Sequence, residues 1–484
     1  MLINNRAGAA PLVLIALLLS FDFSQSSLAV RAVGYGAVPL YMIFALVFFI
    51  PLVLIMTEIG VDLRRQGGGI YAWMSRYLGA RLAFVGLFVW YLSCIIVMGN
   101  YVSYVVYDLS FFICGGDPSS LYQFDTWLRG SLTTIVAAMA TAIAIKWHSR
   151  LSVIITVGAA ALIGFILMLL LACLPSFFLA NAPAIDAPTV QASYFPFELS
   201  SRLDAERKKE LSAQLVAQIV FAYCCISAAG GLANSAKNVG NRFKKKLTLA
   251  VVAIVAGYAA SVLIWNTQPI ADRYWVASIF ELTKDLGVSW AKVLHLSSDT
   301  AAAIGDGLLR ISGLLLFLAA TAALSILIHA PLRLLMRGVQ ETSKSTNTAG
   351  VSAKAMWVQC LLVLVVMNAS REQHHYLIDT LTQVSMALPC ILLAVAFYLF
   401  KTKPHFESGS IIPKNRLSAF LVSGAVVGAI ILSNVSAIMA PGVYMGEFER
   451  VEWALYGGAI VVLAGLAAYE IYRRRINKEK TPEA

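Results

Sequence analysis

Blocks of about twenty apolar residues recur along the whole 484-residue chain, and they limit its fold more than any other feature. An α-helix needs about 20 such residues to cross the ~30 Å hydrocarbon layer of a bilayer. Backbone polar groups in lipid must be satisfied within their own segment, so each block is predicted to be helical. Only 13% of the residues are charged, about half the fraction typical of soluble domains. The sequence therefore predicts an all-α integral membrane protein.

Twelve blocks qualify as membrane-spanning helices. They are residues 8–32, 37–62, 82–107, 130–147, 151–180, 211–236, 247–267, 305–331, 355–369, 376–400, 417–438 and 453–472. No loop between them is long enough to hold a soluble domain of ordinary size.

The net charge of +11 could indicate nucleic-acid binding, but the placement of the basic residues argues against it. With the N-terminus inside, most Lys and Arg residues fall in the inner loops and the tails. They include Arg64, Arg65, Arg76, Arg81, Lys237, Arg242, Lys244, Lys245, Lys246, Arg473, Arg474 and Arg475. This asymmetry follows the positive-inside rule and predicts cytoplasmic N- and C-termini. The lipid bilayer, not nucleic acid, is the predicted partner.

The reactive residue types form no site for catalysis or for a metal. The seven cysteines show no CxxC or Cys/His ligand spacing, and they are interpreted as small apolar residues packed in the core. A membrane-embedded enzyme needs clustered His, Asp or Glu, yet the histidines lie at span ends or in loops. We therefore predict no cofactor, no metal and no enzymatic activity.

Two spans carry a polar or small-residue interruption near the middle of the membrane. In the first, the apolar residues 12–19 meet SFDFSQSS at 20–27, and in the sixth, residues 219–223 meet CCISAAGG at 224–231. Irregular backbone at membrane depth is tolerated where it lines a cavity, and paired interruptions in two halves point to a transporter's binding site. Each interrupted span opens a set of five. The predicted division is residues 1–180 as the first five-helix repeat, 181–210 as an extracytoplasmic connector, 211–400 as a second, inverted repeat, and 401–484 as two further helices with a basic tail.

A broken helix exposes N–H groups at one new end and carbonyl groups at the other, which suit a carboxylate and an ammonium group. A zwitterionic amino acid fits this pair. For the sixth span, ordinary packing of small residues between helices remains the alternative. The predicted substrate-binding residues are Asp22, Phe23, Ser24, Gln25, Ser26, Ser27, Tyr223, Ile226, Ser227, Ala228, Ala229 and Gly230.

Three charged residues are candidates for coupling or gating: Asp22, Glu58 and Arg310. An ionisable group at the depth of Asp22 is costly unless it is paired or faces water. It could contact a substrate amine or couple protons to transport, and the alternative is a structural helix cap. Arg310 lies one turn after Asp306, so an ion pair between them is favoured over substrate contact.

Four aromatic residues of the third span, Trp90, Tyr91, Tyr101 and Tyr104, could form a wall of the substrate site. Packing, or a position at the membrane interface, is the more common role of such residues.

The stretch FFIPLVLIMTEIGVDLRRQGGGIYAWMSRYLGARLAFVGLFVWYL, residues 48–92, carries a family resemblance. It resembles the amino acid-polyamine-organocation transporters, particularly the bacterial glutamate/GABA antiporter branch. The matching positions are Pro51, Glu58, Gly68, Gly69, Tyr71, Trp73 and Gly79. ANSAKNVGNR at 233–242 is similar to the segment that contains the family's Glu-x-x-Asn-Pro motif, and HAPLRL at 329–334 to a Pro-containing end of the eighth helix.

The resemblance implies a LeuT-like fold, with ten spans in two inverted repeats plus two helices, in the bacterial inner membrane. It also implies alternating access and the uptake or exchange of amino acids or their decarboxylation products. Asn238 and Arg242 stand where the family motif has Glu and Pro, which leaves substrate and coupling open. We predict a secondary amino-acid transporter, as an antiporter. The alternatives are a proton-coupled symporter, a polyamine carrier and a non-transporting sensor.

Overall fold

The computed structural model describes residues 10–62, 70–115, 126–178, 201–227, 241–267, 279–343, 352–369, 375–402, 412 and 415–480. Within these residues the regular structure is entirely helical, as predicted. The helices are α1 (Ala10–Ser20), α2 (Phe23–Val33), α3 (Ala37–Phe44), α4 (Ile50–Asp62), α5 (Ile70–Leu78), α6 (Ala80–Cys114), α7 (Thr126–Lys146), α8 (Leu151–Ala172), α9 (Leu174–Phe178), α10 (Ser201–Cys224), α11 (Asn241–Asn266), α12 (Ile279–Val293), α13 (Ser298–Ser343), α14 (Ala353–Ala369), α15 (His375–Thr402), α16 (Arg416–Met445) and α17 (Phe448–Lys480). A π-helical turn, Ala45–Phe49, joins α3 to α4.

Eight helical stretches among the described residues are long and apolar enough to cross a membrane, and nine if α1 and α2 count as one broken span. Two further apolar helices, Gly130–Lys146 and Ala353–Asn368, are shorter and coincide with the predicted fourth and ninth spans. The predicted sixth span lies on α10, which begins at Ser201 with a charged segment. Every predicted span thus overlaps a helix, while the count of twelve and the inverted repeats stay predictions.

The long helices α6 and α13 cross at the centre of the molecule, where small residues let the backbones approach. A Cβ atom on Gly313 of α13 would lie 2.7 Å from the carbonyl oxygen of Asp108 in α6. On another side of α13, a Cβ atom on Gly158 of α8 would lie 2.2 Å from the Cβ of Ala322. Small residues at such crossings are the usual basis of helix association in lipid. These contacts fix α6, α8 and α13 as a tightly packed group.

Buried polar contacts join α13 to its neighbours beside Pro331, which lies inside the helix. Gln359 of α14 donates to the carbonyl oxygen of Ile328 at 3.1 Å and accepts a hydrogen bond from the Tyr91 hydroxyl at 3.1 Å. The ring Nε2 of His329 donates to the carbonyl oxygen of Ala144 in α7 at 3.2 Å. A proline inside a membrane helix is tolerated because neighbours of this kind satisfy polar groups around it.

The last two helices lie at the periphery. Large apolar side chains are exposed along them, among them Leu421, Ile431, Leu455, Ile460 and Ile471. Exposed apolar rows of this size suit contact with lipid rather than water. The buried site therefore belongs to the earlier helices.

Candidate functional site

The first predicted break is present between α1 and α2, whose axes differ by 46°. Asp22 stands at the break in an extended conformation. Its Oδ1 accepts hydrogen bonds from the backbone N–H groups of Ser24 at 2.9 Å and Gln25 at 3.4 Å. This is the geometry of a helix N-cap. The carboxylate therefore starts α2, the structural role that the sequence left as the alternative.

Aromatic side chains from two other helices satisfy the backbone groups that the break leaves open. The Tyr101 hydroxyl donates to the carbonyl oxygen of Leu18 at 3.4 Å. The Tyr258 hydroxyl donates to the carbonyl oxygen of Ser20 at 2.9 Å and accepts from the N–H of Asp22 at 3.3 Å. Such bonds keep an irregular backbone stable at membrane depth. The carbonyl oxygens of Leu18 and Ser20 therefore each have a hydrogen-bond donor within the fold.

Tyr258 also connects the first break to the helix that carries the second one. Its ring stacks on Tyr41 with centroids 4.3 Å apart, and it contacts Tyr223 of α10 at 6.2 Å. The Tyr223 hydroxyl donates to the carbonyl oxygen of Tyr41 at 3.1 Å, and its ring stacks on Phe49. Two predicted site residues, Asp22 and Tyr223, thus both contact Tyr258. Tyr258 itself was not predicted.

Three other predicted residues of the first break, Phe23, Ser26 and Ser27, make contacts within the fold. The Ser27 hydroxyl donates to the carbonyl oxygen of Ser24 at 2.7 Å. The Ser26 hydroxyl donates to the carbonyl oxygen of Phe23. The Phe23 ring stacks on Trp265 of α11 at 5.0 Å, and the indole N–H of Trp265 donates to the Phe23 carbonyl at 3.2 Å. The hydroxyl and aromatic groups of these residues are engaged within the fold.

Two serine hydroxyls at the breaks have no hydrogen-bond partner among the described residues. Ser20 ends α1, Ser227 lies within the predicted second interruption at 224–231, and both are buried. A buried hydroxyl without a partner costs about 1–3 kcal/mol, so each requires an explanation. Both remain free to donate to a ligand. Ile226 is fully buried, and Ala228, Ala229 and Gly230 lie outside the described residues.

A small cavity lies between α1, α6, the end of α10, α13 and α15. It is lined by Leu19, Cys94, Val97, Tyr101, Cys225, Leu327 and Met386. Its volume of about 10 Å³ is on the order of one water molecule. A substrate as large as an amino acid therefore requires these helices to move apart.

Arg310 does not form the expected ion pair with Asp306 in the described part of the chain. Its guanidinium group donates instead to the last carbonyl oxygens of α6: Phe112 at 3.2 Å, Ile113 at 2.7 Å and Cys114 at 3.2 Å. A cation at a helix C-terminus satisfies open carbonyl groups and favours the helix dipole. This capping of another helix could not be read from spacing within α13.

Glu58 forms a buried ion pair with Lys401 at the C-terminal end of α15. Their side chains are only 4% and 2% exposed. Lys401 also donates to the carbonyl oxygen of Ile412 at 2.9 Å. The pair joins α4, α15 and the segment after α15 at one end of the bundle. The role of Glu58 in coupling or gating stays a prediction.

Comparison with known proteins assigns the chain to a group of transporters. The family model described as amino acid permease matches residues 12–466. The inner membrane transporter YjeM of Escherichia coli is 30% identical over 480 residues, which cover 95% of this chain and 94% of that protein. The YjeM proteins of Salmonella typhimurium and Salmonella typhi are each 29% identical over 484 residues, covering 95% of both chains.

Proposed function

Because the chain belongs to the amino acid permease family, we propose that it is a secondary transporter that moves amino acids, or amines derived from them. The likeness to inner membrane transporters and the many apolar helices support a multi-pass protein of the bacterial inner membrane. The glutamate/GABA branch and the antiport mode are finer parts of this proposal. The observation that carries it is the break at Asp22, where a carboxylate lies two residues after the buried, unpartnered hydroxyl of Ser20.

Substrate recognition begins at Asp22. Its Oδ1 caps α2, and Oδ2 accepts no hydrogen bond from the described residues, so it can receive the ammonium group of an amino acid. The unpartnered hydroxyls of Ser20 and Ser227 can donate to the substrate carboxylate. Charge-assisted hydrogen bonds of this kind are stronger than neutral ones, and their strength grows where water is excluded.

Transport follows from opening the small cavity to one side of the membrane at a time. The break between α1 and α2 and the predicted interruption at residues 224–231, most of which lies outside the described residues, are the points where we propose that short helix halves swing while α6, α8 and α13 stay packed. In a LeuT-like arrangement these halves belong to the two inverted repeats. We place both termini in the cytoplasm, in accordance with the positive-inside rule. An exchanger completes its cycle only when it carries a second substrate back.

Reconstitution in liposomes tests this function. Purified protein is given labelled amino acids outside, with or without unlabelled amino acid inside, and with or without a pH gradient. Accumulation only with internal substrate is the expected result and establishes exchange. Accumulation driven by the pH gradient alone would replace exchange with proton symport. If no amino acid or amine moves in any condition, the proposed function is wrong.

A further inference from the structure

Three aspartates lie on the side of the cavity away from Lys401. Asp22 is three residues after Leu19, which lines the cavity. Asp108 is seven residues, or two helical turns, after Tyr101 in α6. Asp379 is seven residues before Met386 in α15.

Asp108 and Asp379 lie at a similar distance from the cavity along the helix bundle, because α6 and α15 run in opposite directions. Tyr101 and Met386 both line the cavity. Earlier in α6, Gly86 packs against Leu392, which lies later in α15. The two helices are therefore antiparallel, and steps of seven residues forward in one and backward in the other lead the same way. A step of seven also keeps a residue on the same helix face.

Tyr104 stands among these carboxylates. Its phenol group lies within electrostatic reach of Asp22, Asp108 and Asp379, and Asp22 also interacts electrostatically with Asp108. Tyr104 shares the inward face of α6 with Tyr101 and Asp108, yet its residue surface is 37% exposed. We call Asp22, Asp108, Asp379 and Tyr104 the acidic vestibule.

Within the acidic vestibule, Asp108 gives the strongest reason to expect a bound cation. The residue is only 9% exposed, and among the described residues its carboxylate has no hydrogen-bond or ion-pair partner. A buried carboxylate without a partner is strongly unfavourable, and ionisable groups at membrane depth mark substrate or ion pathways. A cation from outside the protein can supply the partner that the Asp108 carboxylate lacks among the described residues.

The arrangement suits an organic cation rather than a single metal ion. Among the described residues no three His, Cys, Asp or Glu side chains approach closely enough to hold a metal. The carboxylates are instead spread along the vestibule, next to the rings of Tyr101 and Tyr104, which contact each other at 5.7 Å. Aromatic faces attract ammonium groups through cation–π interactions. Two separated anionic positions match two separated ammonium groups.

We propose that the acidic vestibule binds a second ammonium group of the substrate, so that the transporter carries basic amino acids or diamines. This proposal rests on the proposed function, since Asp22 receives the first ammonium group. Asp108 and Asp379 receive the second one, and Tyr104 lies between them. A neutral amino acid leaves Asp108 unpaired, and an acidic one adds repulsion.

A matched pair of substrates tests the proposal: L-lysine, and L-norleucine, which has the same carbon chain without the side-chain ammonium group. Trans-stimulated uptake of each is measured in proteoliposomes, with 1,4-diaminobutane as a third probe. The expected result is at least a tenfold preference for lysine over norleucine in the wild type. Asp108→Asn should reduce that preference to about twofold or less, while Asp299→Asn, an exposed aspartate on α13, should leave it unchanged. Transport of the diamine but not lysine would assign the site to diamines.

Other outcomes overturn the proposal. If norleucine moves as fast as lysine, the second ammonium group is not recognised, although the proposed amino-acid transport holds. If sodium drives uptake of neutral amino acids and Asp108→Asn removes that dependence, the vestibule is a sodium site. If nothing moves, the proposed function fails as well. Thermal stabilisation of wild-type protein by lysine but not norleucine provides a readout that needs no variant.

Discussion

The Asp22 carboxylate combines a structural task with a proposed chemical one, and a conservative substitution separates them. Asparagine caps helices about as well as aspartate, so Asp22→Asn keeps the start of α2 while it removes the charge. We expect at least a tenfold loss of transport with an unchanged yield of monodisperse protein. Asp22→Ala should lower both yield and transport. Wild-type rates for Asp22→Asn would mean that the residue is a cap and nothing more.

Tyr258 holds the first break together through one hydroxyl group. Tyr258→Phe leaves the carbonyl of Ser20 and the N–H of Asp22 without this partner. The free energy of unfolding should fall by about 1 kcal/mol, since contacts of this kind contribute modestly in membrane proteins. Tyr41→Phe is the matched control, because the described residues show no hydrogen bond to the Tyr41 hydroxyl. Thermal unfolding in detergent measures both, and equal losses would contradict this role of Tyr258.

The roles of single residues differ in how well they can be predicted from the sequence. Asp22 is conspicuous because it is an ionisable residue in an apolar span. Asp108 lies one residue beyond the predicted third span, 82–107, although α6 continues to Cys114, so a search for charges within the predicted spans stops just short of it. Tyr258 and Trp265 could not be found in this way, since a tyrosine or tryptophan in an apolar helix is ordinary. Their roles come from contacts with a segment more than 230 residues earlier.

Among the helices, the contact of α8 with α13 depends on a close approach at Gly158. Gly158→Ala places a methyl group against Ala322 and should cost about 1–3 kcal/mol by overpacking. Gly164 lies in the same helix, and a Cβ atom added there would meet nothing within 4 Å, so Gly164→Ala should be neutral or slightly stabilising. Thermal unfolding of the two variants checks this. Equal behaviour would show that α8 can shift without loss.

The buried ion pair between α4 and α15 should contribute far more to the stability of the protein than an exposed ion pair does. Glu58→Gln leaves the Lys401 charge buried, and losses of about 3–5 kcal/mol are typical of such changes. Combining Glu58→Gln with Lys401→Met should recover part of the loss. Glu447→Gln, which breaks an exposed pair with Arg450, should cost less than about 1 kcal/mol. Denaturation curves compare the wild type, Glu58→Gln, Lys401→Met, the double variant and Glu447→Gln, and additive losses at residues 58 and 401 would contradict the coupling.

The predicted span boundaries agree with the structure where the apolar stretch and the helix end at the same residue. The predicted second span, residues 37–62, coincides with α3 through α4, although the π-helical turn inside it has no sequence signal. The sixth differs, since α10 begins ten residues before the predicted span. Hydropathy locates the apolar part of a helix. It does not detect a charged extension that continues the same helix, such as SRLDAERKKE.

For the molecule as a whole, the all-helical membrane architecture and the family were predictable, because both rest on long apolar blocks and a motif near residues 48–92. The acidic vestibule was not, since it combines residues of α1, α6 and α15 that come together only in the fold. Counting spans also has a physical limit. A helix that is short or partly polar can lie among other helices. A count based on helix length and hydropathy then misses some of the segments at membrane depth.

The orientation of the whole molecule is testable with reporter fusions. The basic loops predict a cytoplasmic C-terminus. Green fluorescent protein fused after Ala484 should therefore fluoresce, and alkaline phosphatase at the same position should be inactive. Alkaline phosphatase fused after residue 190, in the predicted extracytoplasmic connector, should be active. The reverse pattern at both positions would invert the topology and place the acidic vestibule on the cytoplasmic side.

The distance along the chain between Ser20 and Tyr258 also sets an order of events during synthesis. The 238 residues between them take about 12–48 s to translate at 5–20 residues per second. Throughout that time the carbonyl group of Ser20 and the N–H of Asp22 lack the hydroxyl group of Tyr258. The second half of the first span, which contains serines and a glutamine, has little tendency to enter lipid alone. The N-terminal helices must therefore wait beside the insertion machinery until α11 arrives, and a defect in α11 should appear as degradation of the N-terminal half.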